Sequence, residues 1–257
     1  MLRMLTVVAG LLLAVLIVPA RAQTLIVMCD PYPPYALAKG LHVTGVSVEA
    51  MAAIMEMTGN SFDRKTVRLV NRKKGMDTAL ALPNCILLNV PRTPEVENKY
   101  QWIGPLDFPE LALIGKAGRD FGIKSVADAS AYSIAAVRGG VPARELLAQG
   151  LNPASLKLDS LYIQPLRALQ NGQVDLVAFP LENVTYLMRN LGIEQNDYDV
   201  AFVYKRVPLY IAVSRGVDPA LIKRLNEALA AYKSPMADGN SVFDKAMARY
   251  LPYGTVE

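Results

Sequence analysis

The sequence is poor in the side chains on which most catalysis and metal chemistry depends. It has one histidine, His42, in 257 residues. A multi-histidine metal site is therefore impossible, and Ser-His-Asp or Cys-His chemistry has a single candidate base. Two cysteines, Cys29 and Cys85, are too few for a disulfide-built scaffold or a Cys-rich metal domain. Charge is sparse: 19% of residues are charged, and 27 basic against 23 acidic residues leave a net charge of +4. Lys and Arg form no long basic stripe, so nucleic acid is not the expected partner. The 17 glycines and 17 prolines follow no period, which excludes collagen-like repeats. What the chain has in quantity is apolar residues, at 52% far too many for a disordered tail.

That apolar excess is uneven. Arg3 precedes an uncharged run from Met4 to Ala20, followed by Ala20-Arg21-Ala22. A basic start, an aliphatic stretch and an A-x-A site in that order predict a cleaved export signal over residues 1–22. The dense aliphatic part, Leu5 to Val18, is 14 residues, whereas a membrane span needs roughly 20. Cleavage after Ala22 leaves residues 23–257 with 25 basic and 23 acidic residues, a net of +2. The expectation is a nearly neutral, soluble, periplasmic protein. Export permits a Cys29–Cys85 disulfide. Cys29 would end the first strand and Cys85 begin the third, roughly 10 Å apart, against the 7 Å that a disulfide spans. Both states stay open, with the spacing favouring two buried thiols.

Strand-like and helix-like segments alternate along the mature chain. Leu25 to Met28 is a short apolar run before the turn-rich Asp30-Pro31-Tyr32-Pro33-Pro34. From Ser47 to Met57, Val48, Met51, Ile54 and Met55 share a helical face, and Gly59 is a natural stop. Thr66 to Val70 reads as a strand, 72–82 as a helix and Ile86 to Leu88 as a strand. This β-α-β-α-β order implies a parallel sheet with right-handed crossovers. A second set follows, with strands at 133–137, 155–158, 174–179 and 200–204. Helices at 142–149, 162–169 and 181–190 separate them, and Tyr162, Leu166 and Leu169 share one face of the second. Leu209 to Val213 is a further strand. Asp218-Pro219 is an N-cap and N1 pair for a helix through Tyr232, and a last helix spans about 241–250.

Asp30-Pro31-Tyr32-Pro33-Pro34-Tyr35 resembles the "D-x-x-Y-x-P-F" opening of family 3 solute-binding proteins, the amino-acid-type periplasmic receptors of ABC transporters. Gly45-Val46-Ser47-Val48-Glu49 resembles the element that begins their first helix. Arg92-Thr93-Pro94-Glu95 through Trp102-Ile103-Gly104-Pro105 resembles their "R-T-x-E-R-x…W-x-G-P" segment. Asn171-Gly172-Gln173-Val174-Asp175 resembles a step in the second lobe, and Leu209 to Ala230 the late strand and long helix. The resemblance covers nearly the whole mature chain in order. It implies an α/β, two-lobe, type II periplasmic-binding-protein-like fold. Each lobe would be a mainly parallel sheet flanked by helices, and two hinge strands would join them. Lobe 1 would comprise 23–110 plus 206–257 and lobe 2 would comprise 111–205, with crossings near 108–114 and 204–208.

The resemblance also assigns a ligand cleft. Tyr32 matches the family aromatic that stacks on the ligand, and Tyr35 a residue that packs. Asn89 falls among polar ligand contacts. The family's carboxylate-binding Arg is replaced by Val96, the supporting polar pair of lobe 2 by Gly140 and Val141, and the amine-binding acid by Pro180. All three handles for a zwitterionic amino acid are thus missing, and an unpaired charge in a closed cleft costs several kcal/mol. Arg92 and Arg138 could take an anion instead, and Glu182 lies near the missing acid. Candidate ligand-binding residues are therefore Tyr32, Asn89, Arg92, Arg138, Gly140 and Glu182. Asp175 reads as stabilising its lobe, Trp102 as packing, and His42 as exposed. No catalytic residue, metal or cofactor is implied.

The expected function is a monomeric, non-enzymatic periplasmic receptor that delivers a small polar or anionic solute to an inner-membrane ABC permease. The missing handles argue against a standard α-amino acid. Two alternatives stay open. One is a dehydratase-like enzyme on the same fold, with Glu182 or Glu95 for acid–base work. The other is a receptor-like signalling or assembly module that binds little.

Overall fold

The computed structural model describes residues 24–251, so the export signal and the cleavage site after Ala22 lie outside the described residues. The chain opens with β1 (Ile26–Cys29) and a hairpin of β2 (Leu37–Lys39) and β3 (His42–Thr44), followed by α1 (Val46–Met57). Next come β4 (Arg68–Leu69), α2 (Arg72–Ala81), β5 (Cys85–Pro91), the single turn α3 (Pro94–Glu97) and β6 (Gln101–Asp107). A second group comprises β7 (Glu110–Lys116), β8 (Ile134–Val137), α4 (Val141–Ala148), β9 (Leu156–Asp159), α5 (Ile163–Gln170), β10 (Leu176–Pro180), α6 (Leu181–Asn190) and β11 (Tyr198–Arg206). The chain then returns through β12 (Leu209–Val213), α7 (Pro219–Tyr232) and α8 (Val242–Tyr250).

Two five-stranded sheets result, ordered β4-β1-β5-β12-β6 and β11-β7-β10-β8-β9. In the first, β1 runs parallel to β4 and β5, while β12 is antiparallel to β5 and β6. In the second, β8 runs parallel to β9 and β10, while β7 is antiparallel to β10 and β11. The chain changes sheet at Phe108-Pro109 and again at Val207-Pro208. The two crossings are tied together, because the Val207 amide donates to the Pro109 carbonyl at 3.0 Å.

Both faces of each sheet are covered, which is why the central strands read as unbroken apolar runs rather than alternating ones. Along β5, Ile86 and Leu88 enter the core shared with α1, α7 and α8, while Cys85 and Leu87 enter the one beneath α2. Along β10, Leu176 and Ala178 face α4, while Val177 and Phe179 face α5 and α6. Each such fully buried Leu, Ile or Phe contributes roughly 1.5–3 kcal/mol of transfer free energy.

Helix ends follow local chemistry. The Gly59 and Asn60 amides donate to the Glu56 and Met55 carbonyls, and Gly59 (φ 73°) supplies the left-handed residue that stops α1. Asp218 caps α7, with Pro219 in its first position. Ser241 and Asp244 form a capping box on α8. Sheet register decides the cysteines: Cys85 pairs with Ile26, three residues from Cys29 along β1, and both thiols are free and buried.

Candidate functional site

The two sheets meet at the ends of their strands, where ligands of open α/β sheets bind. A cavity of about 80 Å³ lies there, room for a few waters or a compact solute. The first sheet's side supplies Tyr32, Arg72, Pro91 and Leu209, and the second sheet's side supplies Gly140, Val141, Pro142, Phe179, Pro180 and Asn183. Val207 from the returning crossing, Leu111 from β7 and Tyr162 complete much of the wall. Most of that surface is apolar. Asn183 also fastens the two sides: its Nδ2 donates to the Pro33 carbonyl at 2.8 Å. The Asn183 Oδ1 is buried without a partner.

Arg72 is the one fully charged side chain on the wall, and the sheet places it. β1 and β4 are parallel with Cys29 opposite Leu69, so the residues after their ends emerge side by side. Asp30 follows β1, and Arg72 opens α2 after its Asn71 cap. Arg72 Nε and Nη2 both donate to Asp30 Oδ2, at 3.0 and 2.6 Å. Its Nη1 is out of solvent with no partner. Burial raises the Asp30 carboxyl above its ordinary value, and Arg72 opposes that shift.

The tyrosines frame this ion pair. Tyr32 is held in its loop by reciprocal backbone bonds with Ala36 (2.8 and 2.9 Å) and stacks on Tyr35, with ring centroids 5.3 Å apart. Burial raises the Tyr32 hydroxyl well above its usual value, and the Glu182 carboxylate adds to the effect. Tyr35 is fully buried and donates to Asp107 Oδ2 at 2.6 Å, a packing and anchoring role. Tyr162 departs from the helical face predicted for it. It stands at the N-cap position of α5 without a side-chain cap bond, lines the cavity and is 42% exposed, and burial raises its hydroxyl, with Asp30 adding to the shift.

Of the residues singled out in the sequence, Tyr32 and Gly140 line the cavity. Arg92 does not. Its Nε donates to Glu97 Oε2 at 2.6 Å, and its guanidinium packs on the Trp102 and Tyr210 rings, 5.4 and 5.1 Å from their centroids. Arg138 is exposed and its Nη2 donates to the Leu158 carbonyl at 2.9 Å. Asn89 is buried at a bulge where β5 carries an extra residue against β12; it has φ 62°, and its Oδ1 accepts from the Ser47 hydroxyl at the start of α1. Glu182 occupies the first turn of α6, outside the cavity wall, with Oε2 buried and unpartnered. Burial above all, then Asp107 and Glu110, pushes its carboxyl up to about 7. Asp175 accepts from the Ser133 amide and hydroxyl (3.0 and 2.7 Å) and from Arg119 (2.7 Å), which ties together the starts of the neighbouring strands β8 and β10. His42 is exposed on the β2–β3 hairpin.

Neither Arg72 nor Asn183 stands out in the sequence. The signal for Arg72 is indirect. Two parallel strands ending at Cys29 and Leu69 bring an Asp and an Arg to one sheet edge. Among the described residues no cluster of three or more His, Cys, Asp or Glu is placed to hold a metal, and no helix is long and apolar enough to cross a membrane.

No family model and no curated protein sequence matches the chain. Solved structures do match in fold. A histidine kinase sensor domain with similarity to periplasmic binding proteins aligns over 89% of this chain and 96% of its own, with TM-score 0.70 and 21% identity. An arginine-binding protein mutant from T. maritima aligns over 89% and 95%, with TM-score 0.67 and 15% identity. The second substrate-binding domain of GlnP from Lactococcus lactis, in its open conformation, aligns over 89% and 95%, with TM-score 0.66 and 18% identity. The chain thus has the two-lobe α/β fold of periplasmic binding proteins.

Proposed function

We propose that the protein is an exported, non-enzymatic solute-binding receptor, with lobes 23–110 plus 206–257 and 111–205. It would close on a small molecule and present the closed form to an ABC-type permease. One observation carries this reading: the cavity is walled by both sheets and fastened across by the Asn183–Pro33 bond. A small molecule enclosed there would be gripped from both sides, so its affinity would be coupled to lobe closure. The relatives in fold support the class, and the signal-like residues 1–22 support export. The wall favours binding over catalysis. Its titratable side chains are Arg72, Tyr32 and Tyr162, with no carboxylate–carboxylate or histidine pair for acid–base work. Tyr32 and Gly140 remain as ligand contacts, and Arg72 takes the anchoring role that Arg92 and Arg138 were candidates for. No carboxylate lines the wall to receive an ammonium, which weighs against a standard α-amino acid; the acceptors there are the Asn183 Oδ1 and the Tyr32 and Tyr162 hydroxyls.

The test is native mass spectrometry on protein purified from its own host without refolding, with small-angle scattering before and after ligand removal. A mass increment lost on denaturation, and a radius of gyration that grows when the ligand is stripped, are expected. A chain that carries no increment and whose radius ignores its host's small-molecule extract would sink the reading. The kinase sensor domain favours a second reading, in which the closed form signals to a membrane kinase instead of feeding a permease. Cross-linking in host membranes separates the two by the identity of the captured partner.

A further inference from the structure

Cationic side chains of the first sheet gather at one edge. Between Arg64 and Lys74 the chain has six basic residues and no acid. Arg72 is committed to Asp30 and Lys73 to Asp77. Arg64, Lys65, Arg68 and Lys74 are exposed, and none of the ion pairs among the described residues involves them. Topology sets these four in a row. β4 is the outermost strand of its sheet, with β1 as its neighbour. The short helical turn Arg64–Thr66 leads into it, Arg68 lies on it, and Lys74 follows in the first turn of α2. Asp63, the nearest acid in the chain, caps that turn by accepting from the Lys65 amide at 2.9 Å.

The β2–β3 hairpin adds an apolar tip to this edge. β3 lies against the Arg64–Thr66 turn, and Val43 and Val67 enter the same core. Lys39 and His42 pair across the hairpin on the face opposite Val43, so they point outward beside Arg64 and Lys65. Gly40 and Leu41 make the turn between them. Gly40 has φ 61°, which suits glycine, and Leu41 is 98% exposed. A lone exposed Leu is common on protein surfaces. This one is held clear of the body with basic residues on both sides.

An apolar tip flanked by cations matches a bilayer with anionic headgroups. Phosphates meet the cations while the tip enters the boundary with the acyl chains. A sheet standing on its edge presents side chains from both of its faces to a flat surface, so Arg68, on the face opposite Val67, counts with the others. A soluble polyanion would meet the cations alone and leave Leu41 in water. Single-stranded nucleic acid calls for exposed aromatics, whereas Phe62, the aromatic of this stretch, packs against the core.

We propose that the protein docks on anionic membrane surfaces through the β4 edge and the β2–β3 tip, with Lys39, Arg64, Lys65, Arg68 and Lys74 against the headgroups and Leu41 inserted below them. Docking of this kind goes beyond the receptor reading and does not depend on what the cleft holds. The test is sedimentation of the exported chain, isolated from its host, with phosphatidylcholine vesicles that lack or contain phosphatidylglycerol. Binding should require phosphatidylglycerol and weaken as salt rises. Each cation near such a surface contributes about fivefold to partitioning, so Arg64→Gln with Lys65→Gln should bind about twenty-five-fold less, with a shallower salt dependence. Leu41→Ser should lose about fivefold, the share of a half-buried Leu, with the salt dependence unchanged. Lys223→Gln with Arg224→Gln removes the same charge from α7, which packs beside β6 at the far edge of the sheet, and should bind as the wild type does. All of these positions are exposed, so the variants should melt with the parent. Four results would each overturn the proposal: no binding to phosphatidylglycerol vesicles, equal binding to phosphatidylcholine alone, binding that the edge and tip variants leave unchanged, or an equal loss from the α7 variant. Binding of polyglutamate or DNA without binding of vesicles would overturn it in favour of a soluble polyanion. None of these outcomes touches the receptor reading.

Discussion

Cys29 and Cys85 show how a single side chain's chemistry is set by its place in a sheet. Both are fully buried, and burial pushes the Cys29 thiol up to about 12 with Asp30 adding to the shift. The thiolate is the reactive species, so a thiol held protonated and out of contact with solvent is inert. Neither cysteine should react with a soluble thiol reagent in the native protein, and both should label once it is unfolded without reductant. Labelling of either in the native state would contradict the burial. Failure of both to label after unfolding would show that a disulfide had formed. The three-residue offset in register that keeps them apart is legible in the sequence, because β1 and β5 can be recognised and a parallel pairing fixes which ends meet. The Arg72–Asp30 pair depends on the same register. It stays hidden because reading Thr66 to Val70 as a strand does not by itself put β4 beside β1 with Cys29 opposite Leu69.

At the scale of elements, the start of α1 depends on a close approach that few residues permit. The Val46 and Ser47 amides have no intrahelical partner, and donate instead to the Pro34 and Tyr35 carbonyls at 3.1 and 3.0 Å. The loop bearing Tyr32 is therefore strapped across the helix end, so backbone packs on backbone at Gly45. Gly45 has φ 131°, and a Cβ there would sit 2.3 Å from the Tyr35 carbonyl oxygen. Gly45→Ala should destabilise the protein by about 3 kcal/mol, combining backbone strain with overpacking. Denaturant unfolding checks this, and a loss under about 1 kcal/mol would mean that the strap moves freely. Helices α1, α7 and α8 and the buried strands β5 and β10 are legible in the sequence because apolar spacing and cap residues agree there. The β2–β3 hairpin and the helical turn α3 are not, since three- and four-residue elements carry no period. β6 and β7 escape for another reason: Gly104-Pro105 and Phe108-Pro109 read as breaks where the chain is in fact leaving one sheet for the next.

For the whole molecule, the consequential feature is an acid placed where the two halves meet. Glu182 is the second residue of α6 in the second half, beside Asn183, whose side chain reaches across to Pro33. Asp107 at the end of β6 and Glu110 at the start of β7 act on its carboxyl, and Glu182 in turn raises the hydroxyls of Tyr32 and Tyr35. Arg206, on the returning crossing, is committed to Glu110. Glu182 therefore has like charges nearby and no cation of its own. Its carboxyl is raised from 4.5 to about 7, so between those values the native protein holds a proton that the unfolded chain releases. Stability then falls as pH rises through that window, and above about 7 the penalty is complete at up to about 3 kcal/mol. Glu182→Gln carries no charge and escapes the penalty. It should unfold at higher temperature than the wild type at pH 8, and the gap should close as pH falls toward 4.5. Because opening the lobes would expose Glu182 to water, the wild type should also be more open at pH 8 than at pH 5.5 by small-angle scattering, and the variant equally closed at both. Taking the difference between the two proteins cancels every other titrating group. Melting profiles that stay parallel across that range would show that Glu182 is solvated or paired in solution, and that charge at the hinge does not bias closure.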